Sequence, residues 1–247
     1  FCIMANGVSC VICCHNSAER LPKTLAHLAA QQIDKDLLWE VIVVDNASTD
    51  NTAQIALETW TKYSSTTIRI VKELKLGLTY ARNRGFAEAK YNVISFIDDD
   101  NWVAPNWVKL VNQIMSEHPE IGACGGINTP VTDVELHPKW FEMMQKSYAV
   151  GPQAKSSGDI TLEYGLLYGA GLTIRKSAWD ALVNQGFKCS SVDRKGKSLL
   201  SSGDSEICLA LALSGWRIWY DSRLKLFHYL PTHRLYWDYV RRLQRAA

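Results

Sequence analysis

Three carboxylates stand side by side at Asp98-Asp99-Asp100, directly after the apolar run Val93–Ile97. Adjacent anions repel one another unless a cation or ligand hydroxyls compensate. A hard divalent cation, held by one or two carboxylates together with substrate phosphates, supplies that compensation. The competing reading is a solvated turn whose aspartates cap the helix opened by Pro105. A second acidic site, Gly203-Asp204-Ser205-Glu206, stands at the head of the apolar segment Ser205–Leu213. A carboxylate at a helix N-terminus is stabilised as the anion by about 0.3–1 kcal/mol, which suits a plain N-cap or a general base. His228 ends an apolar strand, where imidazole serves as a structural group or as a ligand to Mn²⁺. Cys10-Val11-Ile12-Cys13 has Cys-x-x-Cys spacing, but residues three apart on a strand face opposite ways, so the pair reads as core filler.

The elements that must carry these groups alternate. Val8–Cys14 reads as a buried strand, and Leu21, Leu25 and Leu28 recur at helical spacing through Gln31. Glu40–Val44 is a second strand, followed by a helix through Ile55, Ala56 and Trp60 that Thr49 or Asp50 can cap. Ile68–Val71, Leu78–Ala89, Val93–Ile97, Pro105–Met115 and Ile121–Gly125 continue as strand, helix, strand, helix, strand. This rhythm implies a right-handed parallel α/β sheet, in which ligands sit beyond the carboxyl ends of the strands. After about residue 127 it breaks, and 128–165 reads as irregular. Leu172–Ile174, Trp216–Tyr220 and Leu224–His228 are expected as short strands, and Ser177–Leu182, Ser205–Leu213 and Pro231–Arg245 as helices.

Composition narrows the class. The chain has 247 residues, 47% hydrophobic and 21% charged, with 27 Lys+Arg against 25 Asp+Glu. A chain of this length buries roughly 70–75% of its unfolded surface, enough for a full core. Near-zero net charge argues against a nucleic-acid partner. No apolar run approaches the roughly 20 residues of a membrane span. Phe1-Cys2-Ile3-Met4 lacks a basic region and a cleavage pattern, so no signal peptide is expected. Seven cysteines in mostly apolar contexts read as reduced thiols of a cytoplasmic protein.

The loop after the first strand, Cys13-Cys14-His15-Asn16-Ser17, has no glycine. That excludes both the dinucleotide fingerprint and a P-loop, leaving a bridging metal as the route to a nucleotide diphosphate.

Taken in order, these segments resemble the family 2 glycosyltransferases, which have a GT-A fold. Val8 to Asn16 is similar to the family's first strand, with Cys13 where Pro is usual and His15 where Tyr is usual. Glu40 to Asp50 resembles its second strand and Asp-x-Ser-x-Asp turn, and Gly77-Leu78-Thr79-Tyr80-Ala81-Arg82-Asn83 its Gly-x-x-x-Ala-Arg-Asn segment. Phe96 to Asp100 looks like the Asp-x-Asp motif, and Tyr168-Gly169-Ala170-Gly171-Leu172 like the glycine-containing strand beside the donor sugar. Gly186-Phe187 and Gly203-Asp204 resemble the Gly-Phe and Glu-Asp elements, with Gly203 departing from the usual Glu. Leu226-Phe227-His228, followed by Pro231 and Arg234, resembles the late His segment.

The resemblance implies an α/β GT-A fold, a mostly parallel nucleotide-binding sheet flanked by helices with a smaller mixed acceptor-side half. It implies one catalytic domain over 1–247, with 1–127 holding the nucleotide-sugar and 128–247 the acceptor and base, cut from a slightly longer protein. Nucleotide-sugar contacts are expected from Cys13, His15, Asn16, Glu19, Asp45, Arg82, Asp98, Asp99 and Gly171, with Asp45 on the base and Asp98 or Asp99 on the ribose. Asp100 and His228 would hold Mn²⁺ or Mg²⁺, although His228 could instead contact phosphate. Asp204 would be the catalytic base, with Glu206 as fallback. The implied reaction is single-displacement, inverting transfer of a sugar from a nucleotide-diphosphate donor, in polysaccharide or glycoconjugate synthesis. Uracil is the expected base, with guanine and thymine open. The acceptor would be a saccharide or a lipid-linked sugar, and 231–245, with Tyr236, Trp237 and four arginines, could rest on the inner face of a membrane. The alternatives are a sugar-1-phosphate nucleotidyltransferase, which should carry a Gly-rich basic loop missing here, and a non-catalytic nucleotide-sugar-binding module.

Overall fold

A computed structural model describes residues 5–64, 66–135, 138–189 and 202–246. The first half runs β1 (Ala5–Cys14), α1 (Leu21–Ala29), β2 (Trp39–Asn46), α2 (Thr52–Tyr63), β3 (Ile68–Glu73), α3 (Leu78–Glu88), β4 (Tyr91–Asp98), β5 (Asn101–Val103) and α4 (Trp107–Glu117). The second half runs β6 (Ile121–Thr132), α5 (Phe141–Met144), β7 (Gly158–Asp159), β8 (Thr173–Arg175), α6 (Lys176–Asn184), α7 (Gly203–Leu213), β9 (Arg217–Leu230) and α8 (Trp237–Ala246).

One mixed sheet carries all of these strands in the order β3-β2-β1-β4-β8-β6-β9-β5, with β7 also on β9. β3, β2, β1 and β4 are parallel. β8 then lies antiparallel between β4 and β6, and β6 pairs β9 in parallel. Parallel strands covered on both faces need apolar side chains on both faces. The alternation is visible along β1: Val8, Cys10, Ile12 and Cys14 enter the layer under α1, α2 and α4, while Val11 enters the layer under α3, α6 and α7. Cys10 and Cys13 fall on opposite sides, as the spacing requires, and Cys10, Cys14, Cys124 and Cys208 are buried free thiols.

Three features of the second half differ from the sequence reading. β6 runs on through Pro130 to Thr132, because its partner β9 continues alongside it to Leu230. The two short strands expected at 216–228 are one strand, β9, whose pairing to β6 shifts between Tyr220 and Lys225. Arg223 folds back there on Asp221, donating from its backbone N and Nε to Asp221 Oδ1 at 2.9 and 3.0 Å. The closing helix is interrupted: a 3₁₀ turn at Thr232–Leu235 ends where Tyr236 turns extended (ψ 144°), and α8 follows. Val240 and Leu243 of α8 pack with Phe141, Tyr148, Val150, Leu230 and Leu235 in a third apolar cluster.

Candidate active site

A cavity of about 650 Å³ opens beyond the carboxyl ends of β1, β2 and β4. That volume lies in the range of small-molecule sites, and the position is the crevice expected of an open parallel sheet. Cys13, His15, Arg82, Asp98, Asp99, Asp100, Asp204 and His228 all line it. Cys13 and His228, 215 positions apart in the chain, thus share one space.

At one end, Asn46 ties three loops together. Its Nδ2 donates to the carbonyls of Glu73 (3.2 Å) and Lys75 (2.8 Å), and its Oδ1 accepts from Gly77 N (2.8 Å). Its own carbonyl meets His15 Nδ1 at 2.9 Å. A carbonyl can only accept, so Nδ1 carries the proton and Nε2 is left as an acceptor. Arg82, buried on α3, faces the same cavity.

The aspartates divide their work. Asp99 Oδ2 accepts from Ser17 Oγ and from Arg20 Nη2 (2.6 Å), while the Asp99 carbonyl accepts from Thr24 Oγ1 (2.8 Å). Asp99 therefore anchors the start of α1 to the β4–β5 turn. Burial, with the neighbouring Asp100 charge, raises its pKa despite Arg20. Asp100 is pulled the other way: burial opposes ionisation, but His228 and Arg234 outweigh it and hold the carboxyl well below the usual carboxylate range. His228 Nε2 lies 3.5 Å from Asp100 Oδ1, and Arg234 Nη1 lies 2.9 Å from Oδ2. Antiparallel pairing of β5 with β9 sets this meeting, through the register Asn101↔His228 and the bond Tyr229 N to Asp100 O (2.9 Å). A three-residue strand directly after an acidic turn leaves too little periodicity to be read from sequence.

Asp204 sits in the first turn of α7. Its Oδ2 accepts from Gly169 N at 2.7 Å and its Oδ1 from Ser205 N at 3.1 Å. Helix-end amides and dipole favour the anion there. Asp204 faces the cavity, whereas Glu206, two positions on, is not on its wall.

Four other expected contacts lie off the wall. Asn16 is exposed and serves the neighbouring turn, its Oδ1 accepting from Thr49 N (2.8 Å). Glu19 is exposed. Asp45 Oδ1 accepts from Ser48 N (3.3 Å), because strand alternation turns the next residue, Asn46, inward instead. Gly171 has φ +80°, and a Cβ there would approach Leu226 Cδ1 and Trp107 Cη2 to 2.9 Å, so its need for glycine is a packing need. Sequence reasoning missed Asn46, Arg20, Lys146, Gln153 and the α8 residues Leu243 and Gln244, which also line the cavity. Asn46 stood next to a flagged residue and could have been found by counting strand alternation from Val44. The α8 residues come from beyond the irregular region and carried no such signal.

The chemistry of a divalent cation fits Asp100 and His228. Both side chains line the cavity; Arg234 engages Asp100 Oδ2, and Oδ1, which accepts from Asn101 Nδ2 at 3.1 Å, keeps a further lone pair for a cation. His228 Nδ1 is buried without a hydrogen-bond partner. Among the described residues no group of three or more His, Cys, Asp or Glu side chains converges on a metal position. Two protein donors with the remainder from substrate oxygens and water is the arrangement Mg²⁺ and Mn²⁺ accept at phosphate sites.

The profile of the family described as Glycosyl transferase family 2 matches residues 9–143. A glucosyl-dolichyl phosphate glucuronosyltransferase of Haloferax volcanii is 24% identical over 166 residues, 66% of this chain and 51% of that protein. The chondroitin synthase of Escherichia coli is 32% identical over 125 residues, 50% of this chain and 18% of that one. The chain thus spans about half the length, or less, of the curated relatives it matches. The crystal structure of S. aureus TarS 1–349 in complex with UDP-GlcNAc superposes with a TM-score of 0.66 at 19% identity, covering 92% of this chain and 58% of that one. The mixed sheet and its flanking helices are those of a GT-A fold. More than half of the sequence, including the strands that end at the cavity, matches one profile, and the chain belongs to glycosyl transferase family 2.

Proposed function

We propose that this chain is the catalytic part of an inverting glycosyltransferase that takes a sugar from a nucleotide-diphosphate donor, UDP-linked in the first instance, and passes it to an acceptor hydroxyl. The observation that carries the reading is the placement of Asp204 on the same cavity wall as the Asp98–Asp100 turn. The donor lies along 1–127, with its base between His15 and Asn46 and its diphosphate toward Arg82, Asp100 and His228. Cys13, Asp98 and Asp99 are the further wall contacts in this half, and the donor sugar extends toward Gly169. Asn16, Glu19, Asp45 and Gly171 act from behind that wall.

Asp204 takes the proton of the acceptor hydroxyl as its oxygen bonds to the anomeric carbon, and the bond from that carbon to the diphosphate oxygen breaks on the opposite face. A positioned base of this kind contributes about 10²–10⁴ in rate. Arg82 and Arg234 supply positive charge beside the departing diphosphate. Mn²⁺ or Mg²⁺ held by Asp100 and His228 would, when bound, neutralise the same charge. One displacement inverts the anomeric centre, and no second carboxylate is required as nucleophile.

The acceptor, a saccharide or a lipid-linked sugar, enters from 128–247. The chondroitin synthase and glucosyl-dolichyl phosphate relatives support those two classes. α8 turns Val240 and Leu243 to the protein and leaves Trp237, Arg241, Arg242 and Arg245 outward, the face through which 231–245 would meet an anionic membrane. The buried thiols of Cys10, Cys14, Cys124 and Cys208 suit a cytoplasmic setting. No described helix is long and apolar enough to cross a membrane.

Thermal shift with UDP, GDP and dTDP, each with and without Mn²⁺, tests the donor assignment. A metal-dependent stabilisation with UDP is expected. The absence of a shift with every nucleotide would overturn it.

A further inference from the structure

The carboxylate read here as the base is held by a backbone amide, and the residue presenting that amide has no room for a side chain. Gly169 N donates to Asp204 Oδ2 at 2.7 Å. A Cβ built at position 169 would stand 2.7 Å from Arg82 Nη2 and 2.9 Å from Asp204 Oδ2. Arg82 on α3 and Asp204 on α7 thus come within 3 Å of one point, and that point is empty only because residue 169 is glycine. The backbone conformation is not the reason: Gly169, unlike Gly171, lies outside the left-handed region.

The amide is also referenced to the strand that carries the acidic turn. Three residues on, the Leu172 carbonyl accepts from Phe96 N at 2.9 Å, and Thr173 pairs with Ser95 across β8 and β4. Asp204 is therefore fixed relative to β4, which ends at Asp98, through Gly169 and not through its own helix alone. Ser205 N serves the other oxygen, so among the described residues each carboxylate oxygen accepts from one N–H, and a carboxylate oxygen can accept more than one bond, which leaves capacity for the acceptor hydroxyl.

We propose that Gly169 is a positioning residue of the transfer reaction, its N–H orienting Asp204 and its missing side chain letting Arg82 and Asp204 share one corner of the cavity. The proposal rests on Asp204 being the base. A base displaced from the acceptor hydroxyl slows the chemical step without touching the nucleotide, so the readout is a fall in kcat at unchanged UDP affinity.

The test compares three variants in steady-state transfer, UDP affinity and melting temperature. Gly169→Ala keeps the amide but inserts the Cβ, and the atoms it meets belong to side chains and not to backbone, so it should fold. Replacing Gly169 by glycolic acid turns the amide into an ester, removing the N–H and adding no atom near Arg82. Both are expected to lower kcat, Gly169→Ala by about a hundred-fold as expected for a misplaced catalytic group. The ester variant should leave UDP affinity at the wild-type level. Should Gly169→Ala fail to fold, the ester variant decides alone. Asp204→Asn separates the two levels. An inactive Asp204→Asn beside an ester variant with wild-type kcat overturns the positioning role, while an active Asp204→Asn overturns the base assignment beneath it.

Discussion

Arg234 closes over Asp100 from 134 positions away, its Nη1 2.9 Å from Asp100 Oδ2. The guanidinium arrives on the 3₁₀ turn that follows β9, and its backbone carbonyl is held by Tyr148 Oη at 2.6 Å. The last part of the chain is thereby wired to the acidic turn at the end of the first half. Both members of the pair are largely buried, so the charges depend on each other more than a surface pair would.

Removing the cation should be costly. Arg234→Ala leaves buried Asp100 without its guanidinium partner and is expected to destabilise the protein by about 3–5 kcal/mol at neutral pH. The depressed Asp100 pKa fixes the sign of the pH dependence. Its contribution is complete above the unfolded carboxylate value of about 4 and declines as pH falls toward the folded value. Denaturant melts of wild type and variant should therefore differ most above about pH 5 and converge on acidification.

Asp99 and Asp100 should separate cleanly. Asp100→Asn is expected to abolish the Mn²⁺ dependence of UDP binding, because it removes the anionic donor beside His228. Asp99→Asn should keep that dependence but lower the melting temperature, because Ser17 and Arg20 lose their charged anchor. Calorimetric titration of UDP with and without Mn²⁺, alongside thermal melts, checks both.

Asn46 should tolerate neither loss nor charge. Asn46→Ala leaves two carbonyls and one amide without their partner, at roughly 1–3 kcal/mol for each buried group left unsatisfied. Asn46→Asp places a carboxylate oxygen against the carbonyls of Glu73 and Lys75, so it is expected to be worse than alanine. Melting temperatures in the order wild type, Asn46→Ala, Asn46→Asp would bear this out.

Chelation should act on binding more than on folding. With Asp100 and His228 as the proposed cation donors, EDTA is expected to weaken UDP affinity at least ten-fold while shifting the melting temperature of the nucleotide-free protein by no more than about a degree. Fluorescence or calorimetric titration before and after dialysis against EDTA measures the first, and a thermal melt the second.

The first half of the fold was legible because its central strands are buried on both faces and α1 carries a clear apolar stripe, as in Val8–Cys14 and in Leu21, Leu25 and Leu28. The strand-end rule then pointed to Asp98–Asp100 and His15, and the structure puts them on one cavity wall. The second half was harder for identifiable reasons. β5 is three residues long, and β9 contains a polar bulge at Asp221-Ser222-Arg223 that imitates a turn. Tyr236 interrupts a segment whose apolar spacing otherwise reads as one helix. Alternation along β2 turned Asn46 inward where the resemblance pointed to Asp45. The contact between Gly169 and Asp204 is a backbone bond across 35 positions, and side-chain patterns carry no information about it.

The most direct measurement is UDP release from UDP-GlcNAc, UDP-glucose, UDP-galactose and UDP-glucuronate across a panel of saccharide acceptors, for wild type and Asp204→Asn, with UDP affinity measured on the same samples. The account predicts acceptor-dependent release by the wild type, a loss of about 10²–10⁴ in kcat for Asp204→Asn, and UDP affinity unchanged within two-fold. Transfer at the wild-type rate by Asp204→Asn, with its nucleotide binding intact, would contradict it.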